Sequence, residues 1–296
     1  MSELKPTVRE IYEIERAVAQ QDKLETSFFH RIRLKNGVYK TTYSNRFTDV
    51  FECLAKHLPK NQHLDVMDVA ISAGISTYEL SQALTSLNIE HKMHASDISL
   101  YGTLYPVTKY LDILLDSNQY PLQFDFLGRS IPSSSSSLMP SAIQLVARTG
   151  SSILLKIIKL LHLSRIINVG NPHGFHTKKI TLVTKRLLNN PDFILHEENI
   201  LTPTPKELLN TFNILRAANI LNLSYFDEKT LASMILNLKS RLKTNGLFVI
   251  CRTSETKTGS NNGTIFKKLD NGELEVIDRV GAGSEIEDIV LRTNRL

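Results

Sequence analysis

The sequence predicts an α/β fold: a mostly parallel sheet with helices on both faces, an antiparallel C-terminal element and a large helical and hairpin insertion after the second strand. Three observations carry this. Leu64–Ala70 is a run of buried-strand character that passes through small residues into a helical pattern from Ser76 to Leu87. Strand-like and helix-like segments then alternate, with later strands expected at Phe193–His196, Phe212–Arg216 and Leu247–Arg252. Finally, Thr264–Leu269 and Glu273–Val280 flank Asp270-Asn271-Gly272, a hairpin turn.

The remaining elements follow in order. Residues 1–60 form an expected N-terminal helical segment. Within it, residues 7–20 carry an apolar stripe at Ile11, Ile14 and Val18. Residues 44–57 form a second helix, opened by Ser44 and ended near Pro59. Residues 61–296 form the α/β domain. Its second strand is expected at 91–97, ending on Asp97. Asp227 caps a helix that runs to about residue 243 and stops at Asn245-Gly246. Ile286–Arg292 is read as one more strand.

Between Asp97 and Phe193 the chain is too long for one crossover helix. Residues 101–190 are therefore an insertion, expected to form a lid over the C-terminal strand ends. Tyr110–Leu115 and Leu122–Leu127 form a hairpin around Asp116-Ser117-Asn118-Gln119, and Ser133–Ser137 is a loop. Ser141–Ile167 reads as helical, with Lys156, Lys159 and Arg165 on a narrow basic face. Two readings stand: a helix packed on the domain, or a peripheral membrane contact through residues 151–167.

With 42% hydrophobic residues among 296, the chain can bury a substantial core. The net charge of +5 is spread along the sequence, so nucleic-acid binding does not follow from it. The two cysteines, Cys53 and Cys251, sit in apolar segments and are expected as buried free thiols. No metal-ligand spacing is present. The polar start, Met1-Ser2-Glu3-Leu4-Lys5-Pro6, lacks a secretory leader pattern, and no apolar run is long enough to span a bilayer. A cytoplasmic setting is the expectation, peripheral at a membrane in the alternative reading.

A strand–loop–helix unit with small loop residues presents backbone N–H groups and a helix N-terminus to a cofactor. An acid ending the next strand can accept hydrogen bonds from both hydroxyls of a ribose. Together they point to a cofactor containing a nucleoside.

Val66-Met67-Asp68-Val69-Ala70-Ile71-Ser72-Ala73-Gly74 resembles the first motif of class I S-adenosylmethionine-dependent methyltransferases, a Rossmann-like family. That motif is an acid followed by three small residues at alternate positions, here Asp68, Ala70, Ser72 and Gly74, of which only the last is glycine. Phe212–Phe226, with its Arg…Asn-Ile-Leu…Tyr-Phe form, is closest to the fourth motif of chemotaxis-receptor-type methyltransferases. Leu242-Lys243-Thr244-Asn245-Gly246 resembles the family's entry to its fifth strand. The resemblance implies S-adenosylmethionine as cofactor, held by Asp68, Ala70, Ser72, Gly74, Asp97 and Asn199. The resemblance does not extend to the acceptor: Arg216, at a strand's C-terminal end, with Asn219, Asn222 and Tyr225 are the candidates for lining its side of the crevice, and a small-molecule or lipid-like acceptor is the expectation. Arg216 would suit an anionic one. Blander roles stand beside these: Asp68 orienting its loop, Asp97 capping a helix, and Asn199, Asn219 and Asn222 as turn residues. His173 and His176 are either a base pair or surface histidines. A non-catalytic cofactor-binding protein is the competing function.

Overall fold

The computed structural model describes residues 5–34, 39–40, 43–59, 62–108, 110–132, 177–254 and 260–295. Two compact units are present: residues 1–41 with 101–182, and residues 42–100 with 183–296. The N-terminal residues thus fold with the insertion.

The larger unit is built on a seven-stranded sheet. Its strands are β1 (Leu64–Val69), β2 (His91–Asp97), β8 (Phe193–Glu197), β9 (Phe212–Ala218), β10 (Leu242–Thr253), β11 (Asn261–Lys268) and β12 (Leu274–Val280), in the order β12-β11-β10-β9-β1-β2-β8. The five from β10 to β8 run parallel; β11 pairs antiparallel with both β10 and β12. The predicted mostly parallel sheet with an antiparallel C-terminal element is what forms.

Period-two alternation sends the strands' side chains to two cores. Leu64, Val66 and Ile214 pack with α3 (Thr48–Ala55) and α4 (Ile75–Ser86) on one face. Met67, Val69 and Leu215 pack with α6 (Glu228–Arg241) and α7 (Glu287–Arg292) on the other. Asp227 caps α6 as predicted, its Oδ1 accepting from Thr230 N at 2.7 Å.

In the larger unit two segments depart from expectation. α3 starts at Thr48, not Ser44, because Asn45 takes a left-handed φ of 57° and residues 44–47 form turns. The 286–292 segment is helix α7, not a strand: Ile286, Ile289 and Val290 are the buried positions, at the three-to-four spacing of one helix face.

In the smaller unit, α1 (Val8–Tyr12) and α2 (Val18–Phe29) accompany a five-stranded antiparallel sheet. Its strands are β3 (Tyr101–Thr108), β4 (Leu111–Asp116), β5 (Pro121–Phe126), β6 (Arg129–Pro132) and β7 (Lys178–Thr181), ordered β6-β5-β4-β3-β7. The predicted hairpin is β4–β5, its turn held by Asp116 Oδ1 accepting from Asn118 N and Tyr120 N. The expected helix over 7–20 breaks after Tyr12: Ile11 is buried, but Ile14 and Val18 are exposed, so the three do not form one buried face. Asp125 anchors α1 by accepting from Val8 N at 2.8 Å. Burial raises the Asp125 carboxyl to about 6.

Ser133–Ser137, expected as a loop, Ser141–Ile167, expected as helical with a basic face, and His173 and His176 lie outside the described residues. Among the described residues no helix is long and apolar enough to cross a membrane, and no group of His, Cys, Asp and Glu is placed to hold a metal. Cys53 and Cys251 are buried free thiols.

One half-buried polar pair carries no signal in the sequence. His94 on β2 and His196 on β8 stack at 5.1 Å between ring centroids, with His94 Nδ1 3.0 Å from His196 Nε2. One ring must donate and the other accept, so the two rings cannot both be protonated. Burial, then the neighbouring His196, lowers the His94 pKa to about 4, and burial lowers His196 as well. The unfolded chain therefore takes up protons near pH 6.5 while the folded chain resists them. Stability from this pair is full above about pH 6.5 and is lost as pH falls toward about 4. Urea unfolding between pH 7.5 and 4, read as parent minus His94→Gln, should show that loss; a pH-independent difference would refute it.

Candidate functional site

The site forms where β1 and β2 end, the edge of an open parallel sheet that receives ligands. After Val69 the backbone alternates hands. Ala70 has φ 57°, Ser72 58° and Gly74 80°, so all three small residues of the motif are left-handed. Such a conformation costs an L-residue roughly 1–2 kcal/mol, and only position 74 is relieved of it by glycine. The alternation points Ile71 N at Ser96 O (3.1 Å) and Ser72 N at Asp97 Oδ2 (2.8 Å). Gly74 is the N-cap of α4 and supplies no side-chain acceptor, so the first-turn N–H groups keep their partial positive charge.

Asp97 is the second wall. It is buried, and no helix starts there: it accepts from Ser72 N and, through Oδ1, from Ser99 N at 3.0 Å. Each carboxylate oxygen can accept a second hydrogen bond. Beside it, the buried Ser99 Oγ has no hydrogen-bond partner among the described residues. Ser99 was missed from sequence because a serine after a strand carries no distinguishing pattern.

Asp68 and Arg216 are brought together, but with each other. The β1–β9 register places them side by side, and Arg216 Nε and Nη2 donate to Asp68 Oδ1 and Oδ2 at 2.9 and 2.6 Å. Thr77 Oγ1 donates to Asp68 Oδ2 at 2.7 Å, fixing the first turn of α4 to the sheet. Both charges are almost fully buried, and the guanidinium lies 5.6 Å from the Phe47 ring centroid. Burial alone would lower the Arg216 pKa, but Asp68's charge and hydrogen bonds outweigh it and raise the pKa. The geometry gives the pair an architectural task.

The asparagines hold turns. Asn199 is exposed and its Oδ1 accepts from Leu201 N at 3.0 Å. Asn219, at φ 60°, joins the ends of β9 and β10: its N donates to Cys251 O and its Oδ1 accepts from Thr253 N, both at 2.8 Å. Asn222 is buried, its Oδ1 accepting from Ser224 N and Tyr225 N. Tyr225 is exposed and meets Phe226 edge to face. Chemically, the edge offers a buried carboxylate, a buried hydroxyl and an uncapped helix start, all suited to a polyhydroxylated ligand bearing an anionic group.

No family model and no curated protein sequence matches the chain. Solved structures with limited similarity include the CMeT domain of the citrinin polyketide synthase (14% identity, TM-score 0.34, covering 69% of this chain and 32% of that one). Another is phosphoethanolamine N-methyltransferase 1 of Haemonchus contortus, solved with phosphoethanolamine and S-adenosylhomocysteine (8%, 0.34, 71% and 26%). A third is the N-methyltransferase NodS of Bradyrhizobium japonicum WM9 with S-adenosylhomocysteine (12%, 0.32, 70% and 62%). The chain thus spans about a third of the first, a quarter of the second and under two thirds of the third. At such scores the likeness decides neither fold nor activity, and the fold is assigned from the strand order itself.

Proposed function

We propose that this chain is an S-adenosylmethionine-dependent methyltransferase for a small-molecule acceptor. The observation that carries the reading is the junction of the two strand ends: a loop of three alternating left-handed small residues, hydrogen-bonded through Ser72 N to Asp97. Asp97 would take the ribose hydroxyls, with Ser99 Oγ as an additional partner. The uncapped start of α4 would face the carboxylate of the methionyl part. Asn199, with its side-chain amide at the end of β8, would border the adenine. The cofactor when bound supplies an activated methyl group; the protein's part is to position donor and acceptor. Asn219 and Tyr225 remain the acceptor-side candidates. Arg216 would act through Asp68, holding the loop.

Calorimetry tests this. Asp97→Ala should weaken S-adenosylhomocysteine binding by roughly 1–3 kcal/mol, the usual loss for a charged hydrogen-bonding partner. Unchanged affinity in a folded variant would remove the cofactor assignment.

The insertion as a lid is part of the proposal. It leaves after Leu100, whose N donates to Glu197 Oε1, and returns before Thr184, whose N donates to Ala73 O of the loop. Both junctions therefore border the crevice. Hydrogen exchange of Tyr101–Pro132 should slow when S-adenosylhomocysteine is added; equal exchange would refute the lid.

A non-catalytic cofactor-binding protein is the second reading, favoured by the Cβ atoms that Ala70 and Ser72 carry in the loop. Binding without turnover of any acceptor would support it.

A further inference from the structure

A separate cavity of about 460 Å³ opens in the larger unit, within the size range of small-molecule sites. Leu221 and Cys251 give it an apolar floor; Arg252, Asn262, Ser284 and Glu285 supply polar atoms. Cys251 and Arg252 lie at the C-terminal end of β10, the same sheet edge as Asp97. Register places Val69 of β1 beside Ala217 of β9, and Ala217 beside Ile250 of β10. The cavity floor is thus two strand spacings from the end of β1, roughly 10 Å. Ligands held at the two places could meet above β9.

The cavity wall is built by the fold. Gly281 and Gly283, at φ 58° and 83°, turn the chain after β12. Asn262 Oδ1 accepts from Ala282 N, and Thr264 Oγ1 from Ser284 N, both at 2.8 Å. Glu285 Oε1 accepts from Leu223 N at 3.0 Å and from Arg252 Nη1 at 2.9 Å, while Arg252 Nη2 donates to Ser224 Oγ at 3.2 Å. Among the described residues Asn262 Nδ2 and Glu285 Oε2 make no hydrogen bond, which adds a donor and an acceptor to those of the lining hydroxyls.

Charge decides what fits. Among the described lining residues the charged ones are Arg252 and Glu285, which pair with one another. A ligand of net charge gains little Coulomb energy here and loses its hydration. A ligand with balanced charges, or none, can align with the Arg–Glu dipole and use the amide and hydroxyls.

We propose that this cavity is the acceptor site and that it selects a small polar acceptor of no net charge, zwitterionic or neutral. This rests on the methyltransferase reading. The test uses the ¹⁵N-labelled full chain and three probes of similar length: L-glutamine, glutarate and 1,5-diaminopentane. L-Glutamine should shift the amides of Arg252 and Ala282–Glu285 saturably, at least tenfold more tightly than either charged probe. Glu285→Gln should turn the preference toward glutarate, and Arg252→Gln toward 1,5-diaminopentane. Equal or tighter binding of a charged probe to the parent, or no shift at these amides with any probe, would overturn the proposal. Calorimetry with S-adenosylhomocysteine runs alongside. If S-adenosylhomocysteine binds while the cavity amides stay still, only this inference fails; if it does not bind, the cofactor reading fails whatever the cavity does.

Discussion

Asp68→Ala and Arg216→Ala should each lower the unfolding free energy by roughly 3–5 kcal/mol, the expected penalty for leaving one member of a buried ion pair unpaired. Both side chains are almost inaccessible to solvent, so water cannot replace the missing partner. Asp68 also accepts from Thr77 Oγ1, so its loss frees the start of α4 as well. Asp68→Leu combined with Arg216→Met should recover most of the loss, because apolar groups of similar size leave no charge to desolvate. Urea denaturation at pH 7 without cofactor measures all three variants. Losses under about 1 kcal/mol, a surface-pair magnitude, would refute the architectural assignment. Turnover that collapses while stability holds would return Arg216 to the acceptor side.

That pair marks how far the residues could be read in advance. β1 was legible because a buried strand is a short run of largely apolar residues, whereas β2, mostly polar, was placed by its spacing from β1 and by the acid, Asp97, that closes it. Asp68 and Arg216 were both singled out, yet their partnership depends on the β1–β9 register, which a sequence separation of 148 conceals. Ile286–Arg292 forms a helix where a strand was expected, because a seven-residue segment with four apolar positions fits either period until its buried positions are known. Only the β4–β5 hairpin of the smaller unit's sheet was foreseen. β3 contains Pro106, and β6 and β7 have four residues each, so none announces itself by alternation. Ser99 and the His94–His196 pair depend on strand ends and neighbours that no local pattern encodes.

Gly74 is the motif's one retained glycine, and the resemblance gives it to the cofactor. The structure supplies two demands of its own. Its φ of 80° is left-handed, which costs alanine roughly 1–2 kcal/mol. A Cβ there would also lie 2.6 Å from Leu187 Cδ1. Leu187 is buried in α5 (Lys185–Leu188), whose cap residue Thr184 donates its N–H to Ala73 O, so the methyl must move within packed surroundings. Gly74→Ala should therefore destabilise the chain by roughly 2–4 kcal/mol, conformational and overpacking parts together. Leu187→Ala removes the obstructing methyl, so the double variant should be more stable than the two single losses predict. Denaturation of the four chains gives that coupling, and strict additivity would mean the Leu187 contact is not what restricts position 74. S-Adenosylhomocysteine affinity in the Leu187→Ala background then separates the tasks. If glycine also lets a ligand approach the backbone, adding Gly74→Ala there still weakens binding; if it serves packing and φ alone, binding stays at the Leu187→Ala level.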